Sequence, residues 1–264
     1  MLPSLLLYSG LVLALVGALT LLRPFRFLHR VGLSSRRRGA AATAAGAVIA
    51  IAAALLPAPL RRVDPAESQL DRAMPEFQFH ELHQLRVQAT PEQVWAAIHE
   101  VTAQEIRLFR TLTWIRNPTR SLGKRGDSIL APPAHQPILG VALRSGFFVL
   151  AEERPREVVI ASWILWPKDL DVKAAAAAAR PSADEFAAFT KPGYARAAMN
   201  FRIDDEGGGW CRLTTETRVM ATGAAARRRF GAYWRTIYPG SALIRVMWLR
   251  AIRERAQRSL SDAA

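Results

Sequence analysis

Two long apolar stretches near the N-terminus constrain this chain more than any other feature. Residues 4–22 and 40–56 contain no charged side chain. An α-helix of about 19 residues rises roughly 28 Å, which matches the hydrocarbon thickness of a bilayer. The alternative for the first stretch is a cleaved signal peptide, but no basic region precedes it and a second apolar stretch follows. We therefore predict a transmembrane hairpin within residues 1–57.

Arginines between the two stretches predict the orientation of this hairpin. The loop at residues 23–38 holds six arginines, whereas residues 57–70 hold two, Arg61 and Arg62. Short basic loops stay in the cytoplasm. We therefore expect a multi-pass protein of the cell membrane with its C-terminal domain on the extracytoplasmic side. Small residues recur every four positions in both stretches, at Gly10, Ala14 and Ala18 and at Ala42, Gly46, Ala50 and Ala54. This spacing predicts that the two spans pack on each other.

Composition limits the domain that follows the hairpin. Its roughly 200 residues fit one sizeable domain or two small ones. The net charge of the chain is +14, and +8 remains once the loop arginines are set aside. Such a basic domain is drawn to anionic headgroups, whereas no finger, helix-turn-helix or RNP motif favours nucleic acid as a partner. The single cysteine, Cys211, excludes an internal disulfide and a cysteine-based metal site.

The domain begins with a strand and capped helices. Residues 58–75 bear prolines and mixed charges, which predicts a linker before a domain at residues 76–264. Apolar side chains alternate over residues 77–89, as in a half-buried strand. A capping box at residues 90–93 opens a helix, and a second box at residues 102–105 predicts another.

The rest of the domain predicts antiparallel strands and one long terminal helix. β-Branched and aromatic residues are concentrated in five predicted strands, at residues 138–143, 146–152, 157–166, 195–203 and 210–220. An excursion over residues 168–193 interrupts them, and the glycine-rich residues 204–209 form a hairpin turn. Residues 224–260 carry an apolar stripe at helical spacing, and Pro239-Gly240 within them predicts a kink or a break.

This order of elements, with Thr90-Pro-Glu-Gln-Val-Trp-Ala-Ala-Ile98 directly after the first strand, resembles the START-like SRPBCC superfamily. That superfamily includes polyketide cyclase/dehydrase-type and lipid-transport proteins. The resemblance covers about residues 77–258 and implies an α+β helix-grip fold, in which a curved antiparallel sheet wraps the terminal helix around a hydrophobic cavity. The scaffold hosts binders, transporters and enzymes alike, so the resemblance alone does not decide the activity.

The resemblance implies that the apolar stripe of the terminal helix lines this cavity. The stripe residues are Trp234, Ile237, Ser241, Ile244 and Trp248. The other interpretation is that they form core alone, although a hydroxyl on an apolar stripe needs a partner. On the last strand, Thr215 and Thr217 alternate with apolar neighbours. We expect both threonines to face inward.

Three further candidates are weaker. Glu105 could serve the cavity, but it also completes the second capping box. Phe186 and Phe189 lie in the excursion and could close over an apolar guest, or simply anchor the loop. His80 and His83 are three residues apart on a strand and therefore face opposite sides, so we predict no metal site. No catalytic triad, phosphate loop or dinucleotide fingerprint is present in the sequence, and we predict no cofactor.

Three functions fit these observations. The first is a membrane-anchored binding or transport module for a lipid or another hydrophobic small molecule. The second is a cyclase/dehydrase-type enzyme acting on a polyketide-like substrate, which requires an acid/base residue such as Glu105, Glu81 or a histidine in the cavity. The third is a protein-interaction domain with a filled core. The sequence favours the first and predicts no oligomeric state.

Overall fold

The structure is a computed structural model that describes residues 2–22, 35–116, 132–167 and 180–261. Most of the basic loop and the first twelve residues of the predicted excursion therefore lie outside the described residues. The chain divides into two compact units. The hairpin unit comprises Met1–Ala58 and Arg228–Pro239, and the sheet unit comprises Pro59–Arg227 and Gly240–Ala264.

The hairpin unit is built on two apolar helices, α1 (Leu2–Leu22) and α2 (Arg36–Leu55). Both are long and apolar enough to cross a membrane, with mean hydropathies of 2.4 and 1.6. They approach closely because glycines line their contact. A Cβ added to Gly10 would lie 2.7 Å from the backbone nitrogen of Ala50, a distance that real Cβ atoms do not reach. The predicted packing of small residues is confirmed.

The sheet unit contains a five-stranded antiparallel sheet. Its strands are β3 (Phe79–Gln88), β4 (Phe148–Glu153), β5 (Glu157–Leu165), β6 (Ala195–Gly207) and β7 (Trp210–Ala221), in the order β3-β7-β6-β5-β4. A separate two-stranded ribbon pairs β1 (Arg61–Arg62) with β2 (Glu76–Phe77). The remaining helices are α3 (Gln69–Ala73), α4 (Pro91–Glu100), α5 (Phe109–Arg116), α6 (Ile138–Arg144), α7 (Ala183–Ala188) and α8 (Ala224–Ser261). This mixture of an antiparallel sheet with a long terminal helix is the one that the sequence predicts.

One face of the sheet, called here the inner face, packs against α4, α6 and the C-terminal part of α8. The contacts are apolar side chains at alternate strand positions, such as Ile160 and Phe201, against Trp248 and Ile252 of α8. The Phe201 and Trp248 rings meet edge to face at 5.0 Å. Each fully buried side chain of this size contributes about 1.5–3 kcal/mol relative to exposure, so this core fixes α8 on the sheet.

The outer face of the sheet is covered by α3 and α7, which changes the predicted domain boundary. Residues 58–75 were expected to form a linker, but they contain β1 and α3, and a Ser68–Asp71 capping box starts α3. Leu70 and Met74 are fully buried against outer-face side chains. This segment is therefore part of the sheet unit, because its few apolar residues complete a second core.

One predicted strand is a helix. Residues 138–143 belong to α6, not to the sheet. Their buried positions are Ile138, Leu139, Val141 and Ala142. This spacing fits one face of a helix, whereas alternation would indicate a strand. Pro137, which stands just before the helix, accepts a hydrogen bond from Val141 N at 3.1 Å.

Two other elements differ from their predicted bounds. Only half of the predicted capping box forms at Thr102, because Thr102 N donates to Glu105 Oε2 whereas Glu105 N donates to the Thr102 carbonyl oxygen and not to its hydroxyl. The chain then continues in turns, and α5 starts only at Phe109. Leu108 adopts a positive φ of 60°, which no α-helix accommodates. Helix α8, in contrast, is continuous through Pro239, so of the predicted kink or break the break does not occur.

Candidate functional site

A buried carboxylate on the inner face joins strand β3 to helix α8. Glu81 is 2% exposed. Its Oε2 accepts a hydrogen bond from Ser241 Oγ at 3.0 Å, and its Oε1 lies 2.8 Å from His83 Nε2. One carboxylate therefore holds an imidazole and a hydroxyl on its two oxygens. We call Glu81, His83, Thr215, Thr217 and Ser241 the inner-face polar cluster.

Strand register explains why these side chains meet. Glu81 pairs with Thr217 and His83 pairs with Thr215 across β3 and β7. Directly paired residues of antiparallel strands point to the same face. Thr215 and Thr217 therefore face inward, as the sequence predicts. The Thr215 hydroxyl donates to the Asn200 carbonyl oxygen at 2.7 Å.

Thr217 is the unusual member of the cluster. It is 8% exposed, and among the described residues its hydroxyl has no hydrogen-bond partner. The indole nitrogen of Trp248, further along the same helix face as Ser241, is likewise buried without a partner in the described part of the chain. Burying a polar group without a hydrogen bond costs about 1–3 kcal/mol. Each of these groups needs a partner beyond the described residues, such as a water molecule or a ligand.

The surroundings of the cluster combine one cation with incompletely buried apolar side chains. The Arg245 guanidinium, one turn beyond Ser241, contacts Met199 Sδ, and Met199 pairs with Thr217 in the sheet. Leu85, Ile244 and Met247 pack against the core here but stay partly exposed. The cluster therefore has apolar neighbours that an apolar guest could cover further.

The one cysteine of the chain cannot act as a nucleophile at this face. Cys211 is 1% exposed, and its Sγ lies 3.2 Å from the Ala89 carbonyl oxygen. Burial raises the pKa of its thiol to about 11. The nucleophilic thiolate is therefore scarce at neutral pH.

The histidines lie as their spacing predicts. His83 belongs to the inner-face polar cluster, whereas His80 is on the other side of the strand. There the Arg61 guanidinium lies 3.1 Å from His80 Nδ1. Burial and the charge of Arg61 lower the pKa of His80. Within the described residues, no group of three or more His, Cys, Asp or Glu side chains is arranged to hold a metal ion.

Phe186 and Phe189, predicted to gate the cavity, lie on the outer face. Phe186 is fully buried against Phe148 and Trp163, and Phe189 stacks 4.4 Å from the Trp163 ring centroid. Arg196 donates to the carbonyls of Phe186 and Phe189, which holds the C-terminal end of α7. These phenylalanines anchor α7 and do not border the polar cluster.

Glu105, another predicted site residue, forms ion pairs with two arginines of α8. Glu105 binds Arg255 and Arg258, at 3.0 and 2.9 Å. Burial opposes its ionisation, but hydrogen bonds from Thr102 and Arg255 outweigh it and hold the pKa of Glu105 below its usual range. Glu105 is thus a structural anion.

The predicted stripe of α8 is divided between the two units. Trp234 and Ile237 belong to the hairpin unit, whereas Ser241, Ile244 and Trp248 belong to the sheet unit. Only the last three accompany the polar cluster. Helical spacing alone could not separate them, since all five lie on one stripe.

A surface groove of about 380 Å³ lies elsewhere, between α4 and the turn at Arg154 and Pro155. Its lining includes Trp95, His99, Glu100 and Arg154. The Arg154 guanidinium stands 5.7 Å from the Trp95 ring centroid and so covers the aromatic surface. This groove is not the predicted space between sheet and helix.

Glu81 and His83 are the site residues that sequence reasoning undervalued. They continue the alternation of Phe79, Leu85 and Val87 and therefore share the inward face. Two polar residues in the middle of a buried apolar face are a signal in the sequence, because burial requires each to find a partner. Their contact with Ser241 depends on tertiary packing.

Comparisons with known proteins add little to this geometry. No protein-family model and no curated protein matches the chain. Among solved structures, a conserved protein from Geobacillus kaustophilus aligns over 69% of this chain and 97% of its own length, at 12% sequence identity and a TM-score of 0.29. A likeness at this level carries no argument about fold or activity.

Proposed function

We propose that the protein is a membrane-anchored module that binds a lipid or another hydrophobic small molecule in its sheet unit. In this proposal α1 and α2 cross the membrane, and the inner-face polar cluster holds the polar group of the ligand. The strand order and the terminal helix support a START-like helix-grip fold, which would place the ligand between sheet and helix.

The observation that carries the proposal is the hydroxyl of Thr217 beside Glu81, which finds no hydrogen-bond partner among the residues that the structure describes. A buried carboxylate with two hydrogen-bonded neighbours still has lone pairs to offer, and the adjacent hydroxyl can donate or accept. A ligand hydroxyl or amine at this point would satisfy Thr217 and Glu81 together. Its apolar part would cover the exposed portions of Leu85, Ile244 and Met247.

The test is photolabelling of the full chain in phosphatidylcholine nanodiscs with a diazirine-bearing fatty alcohol, whose hydroxyl is the group expected beside Thr217 and Glu81. We expect labelled peptides from β3, β7 or residues 241–248, in addition to labelling of α1 and α2 by probe in the bilayer. Thr217→Val and Glu81→Gln should lower the first set of labels and leave the second unchanged. Labelling confined to α1 and α2 in the wild-type chain would contradict the proposal.

Thr214→Val provides the matched control. Thr214 occupies the same strand but the opposite face, since strand side chains alternate, and its substitution removes the same hydroxyl. We expect Thr214→Val to label as the wild-type chain does. Equal losses in Thr214→Val and Thr217→Val would mean that the inner face is not the binding surface.

The contact between Glu81 and His83 favours a second candidate function, an acid/base enzyme of the cyclase/dehydrase type. A carboxylate that orients an imidazole is a common general-base arrangement. Ser241 donates to Glu81 itself, which does not arrange the hydroxyl for attack. The discriminating experiment is to extract the co-purified small molecule from the full chain and incubate it with fresh protein. A product mass that forms with the wild-type chain but not with His83→Gln would establish the enzyme, and an unchanged ligand would favour the binding module.

A further inference from the structure

The first part of helix α8 is attached to one end of the α1–α2 hairpin. Arg235, only 5% exposed, donates to the carbonyl oxygens of Ala54 and Leu56 at 2.8 and 2.5 Å. Tyr8 Oη donates to the Thr236 carbonyl oxygen at 2.5 Å. Since the hairpin helices are antiparallel, the start of α1 and the end of α2 lie at the same end. Residues 228–239, called here the docking segment, pack at that end.

The carbonyls that Arg235 binds have a particular need for a donor. The last carbonyls of a helix have no intrahelical partner, and near a bilayer such groups must be satisfied by the protein or by interfacial water. The Arg235 guanidinium is withdrawn from solvent to make these bonds, and this burial lowers its pKa. The docking segment is thus part of the anchor and closes the end of α2.

The docking segment is rich in aromatic residues. Phe230, Tyr233, Trp234 and Tyr238 form a chain of ring contacts with centroid distances of 5.8, 5.9 and 6.0 Å. Phe230 and Trp234 are buried in the protein, so the tyrosines are the rings that can reach an interface. Tyrosine and tryptophan concentrate where a bilayer meets water, because their rings are apolar and their polar atoms prefer the headgroup level. Tyr233 remains 43% exposed. These features match a helix that lies in the plane of the interface.

Charge identifies the surface that this segment fits. Arg228 and Arg229 are exposed, and the sequence of the docking segment contains no aspartate or glutamate. A helix with basic residues beside aromatic and apolar ones binds the headgroup region of anionic membranes.

We propose that the docking segment is an in-plane interfacial helix whose Arg228 and Arg229 bind the headgroups of anionic phospholipids at the membrane face where α1 begins and α2 ends. This inference rests on the proposed membrane anchoring, and not on the proposed ligand of the polar cluster. It assigns a lipid-selective surface to the anchor in addition to the binding site of the sheet unit.

Native mass spectrometry of the full chain tests this proposal. The chain is purified in detergent and mixed with equal amounts of phosphatidylglycerol and phosphatidylcholine before release from the micelles. We expect the wild-type chain to retain phosphatidylglycerol in preference. Arg228→Ser/Arg229→Ser should lower this preference measurably, because each basic residue near an anionic surface strengthens association about fivefold. The arginines of residues 23–38 are the same in every variant and contribute a constant background. Arg228→Lys/Arg229→Lys keeps the charge and should keep the preference.

Arg250→Ser/Arg253→Ser is the matched control, because it removes the same charge from a later part of the same helix. We expect it to retain lipid as the wild-type chain does. Absence of a preference in the wild-type chain, or equal losses in both serine variants, would overturn the proposal. Carbonate extraction of membranes tests the anchoring separately: a chain that leaves the membrane fraction has no membrane anchor, whereas an embedded chain without lipid preference contradicts only this inference.

Discussion

At the scale of residues, the buried guanidinium of Arg218 on the outer face of the sheet predicts how strongly α3 is held. The Arg218 side chain is 5% exposed and lies 2.7 Å from Asp71 Oδ1 and 2.7 Å from Glu216 Oε1. It also donates to the Met74 carbonyl oxygen at 3.1 Å. One guanidinium therefore compensates two carboxylates and holds α3 against the sheet.

Arg218→Met should destabilise the sheet unit strongly. Removing one partner of a buried ion pair costs about 3–5 kcal/mol, because the other charge stays buried. For a domain of this size that corresponds to a fall in Tm of roughly 6–20 °C. Differential scanning fluorimetry of the detergent-solubilised full chain at neutral pH measures it.

The fall in Tm of Arg218→Met should depend on pH, because Asp71 is one of the carboxylates that Arg218 neutralises. Burial opposes its ionisation, but hydrogen bonds from Ser68 and Arg218 outweigh it and hold the pKa of Asp71 below its usual range. A carboxyl with a lowered folded pKa stabilises the fold above its unfolded pKa of about 3.9, and this stability is lost as the pH falls through the folded value. The difference in Tm should therefore shrink below about pH 4.

Arg62→Met is the control for this measurement. The Arg62 side chain is 70% exposed and lies 3.7 Å from Glu76, so its substitution should leave Tm unchanged. Equal effects of the two substitutions would contradict the buried pair.

Part of the candidate site could be predicted at this scale. The inward direction of Thr215 and Thr217 follows from alternation along the strand and needs no tertiary information. The hydrogen bond between Ser241 and Glu81 joins residues 160 positions apart. No local pattern carries such a pairing, because it depends on how α8 lies across the sheet.

At the scale of elements, the predicted capping boxes gave the start of a helix at Thr90 but not at Thr102. The box at Thr90 opens α4, whereas the Thr102 hydroxyl donates to the Glu105 carboxylate and the chain continues in turns to Leu108, whose φ is positive. Residues 138–143 are apolar enough for either a strand or a helix. Short apolar runs of this kind are decided by tertiary packing.

The contact between α1 and α2 gives a prediction at the same scale. Gly46→Leu should separate the two helices, since a Cβ at Gly46 would meet backbone atoms of Gly10 and Ala14 that cannot move aside. A cysteine pair introduced at Leu7 and Ala53, which belong to one buried cluster, reports the separation. We expect disulfide formation, measured by mass spectrometry of linked peptides, to fall well below that of the parent pair.

Ala45→Leu is the control for this measurement. Ala45 is the preceding residue and is exposed, so the added side chain has room. The pair should then crosslink as in the parent chain. Undiminished crosslinking in Gly46→Leu would mean that the helices do not meet through the glycines.

At the scale of the whole molecule, the two apolar helices and the α+β domain could be predicted, but the division of α8 could not. Its stripe continues from Trp234 to Trp248 without a change of period. Which apolar surface each half contacts depends on residues far away in sequence, such as Tyr8 for the first half and Glu81 for the second. Periodicity shows that a face is buried and does not identify the surface that buries it.

The orientation of the chain in the membrane can be tested by labelling one introduced cysteine at a time in spheroplasts. The arginines of residues 23–38 predict a cytoplasmic loop, so Glu67→Cys in the sheet unit should react with an impermeant maleimide from outside. Gly32→Cys, in the loop, should react only after permeabilisation. Cys211 can stay in place, because burial and a thiol pKa of about 11 keep it unreactive in the folded chain. The parent chain should accordingly remain unlabelled in both conditions. The reverse pattern, with Gly32→Cys labelled in intact spheroplasts and Glu67→Cys protected, would place the sheet unit in the cytoplasm. The docking segment would then face the inner leaflet, where anionic lipids would still be its partner.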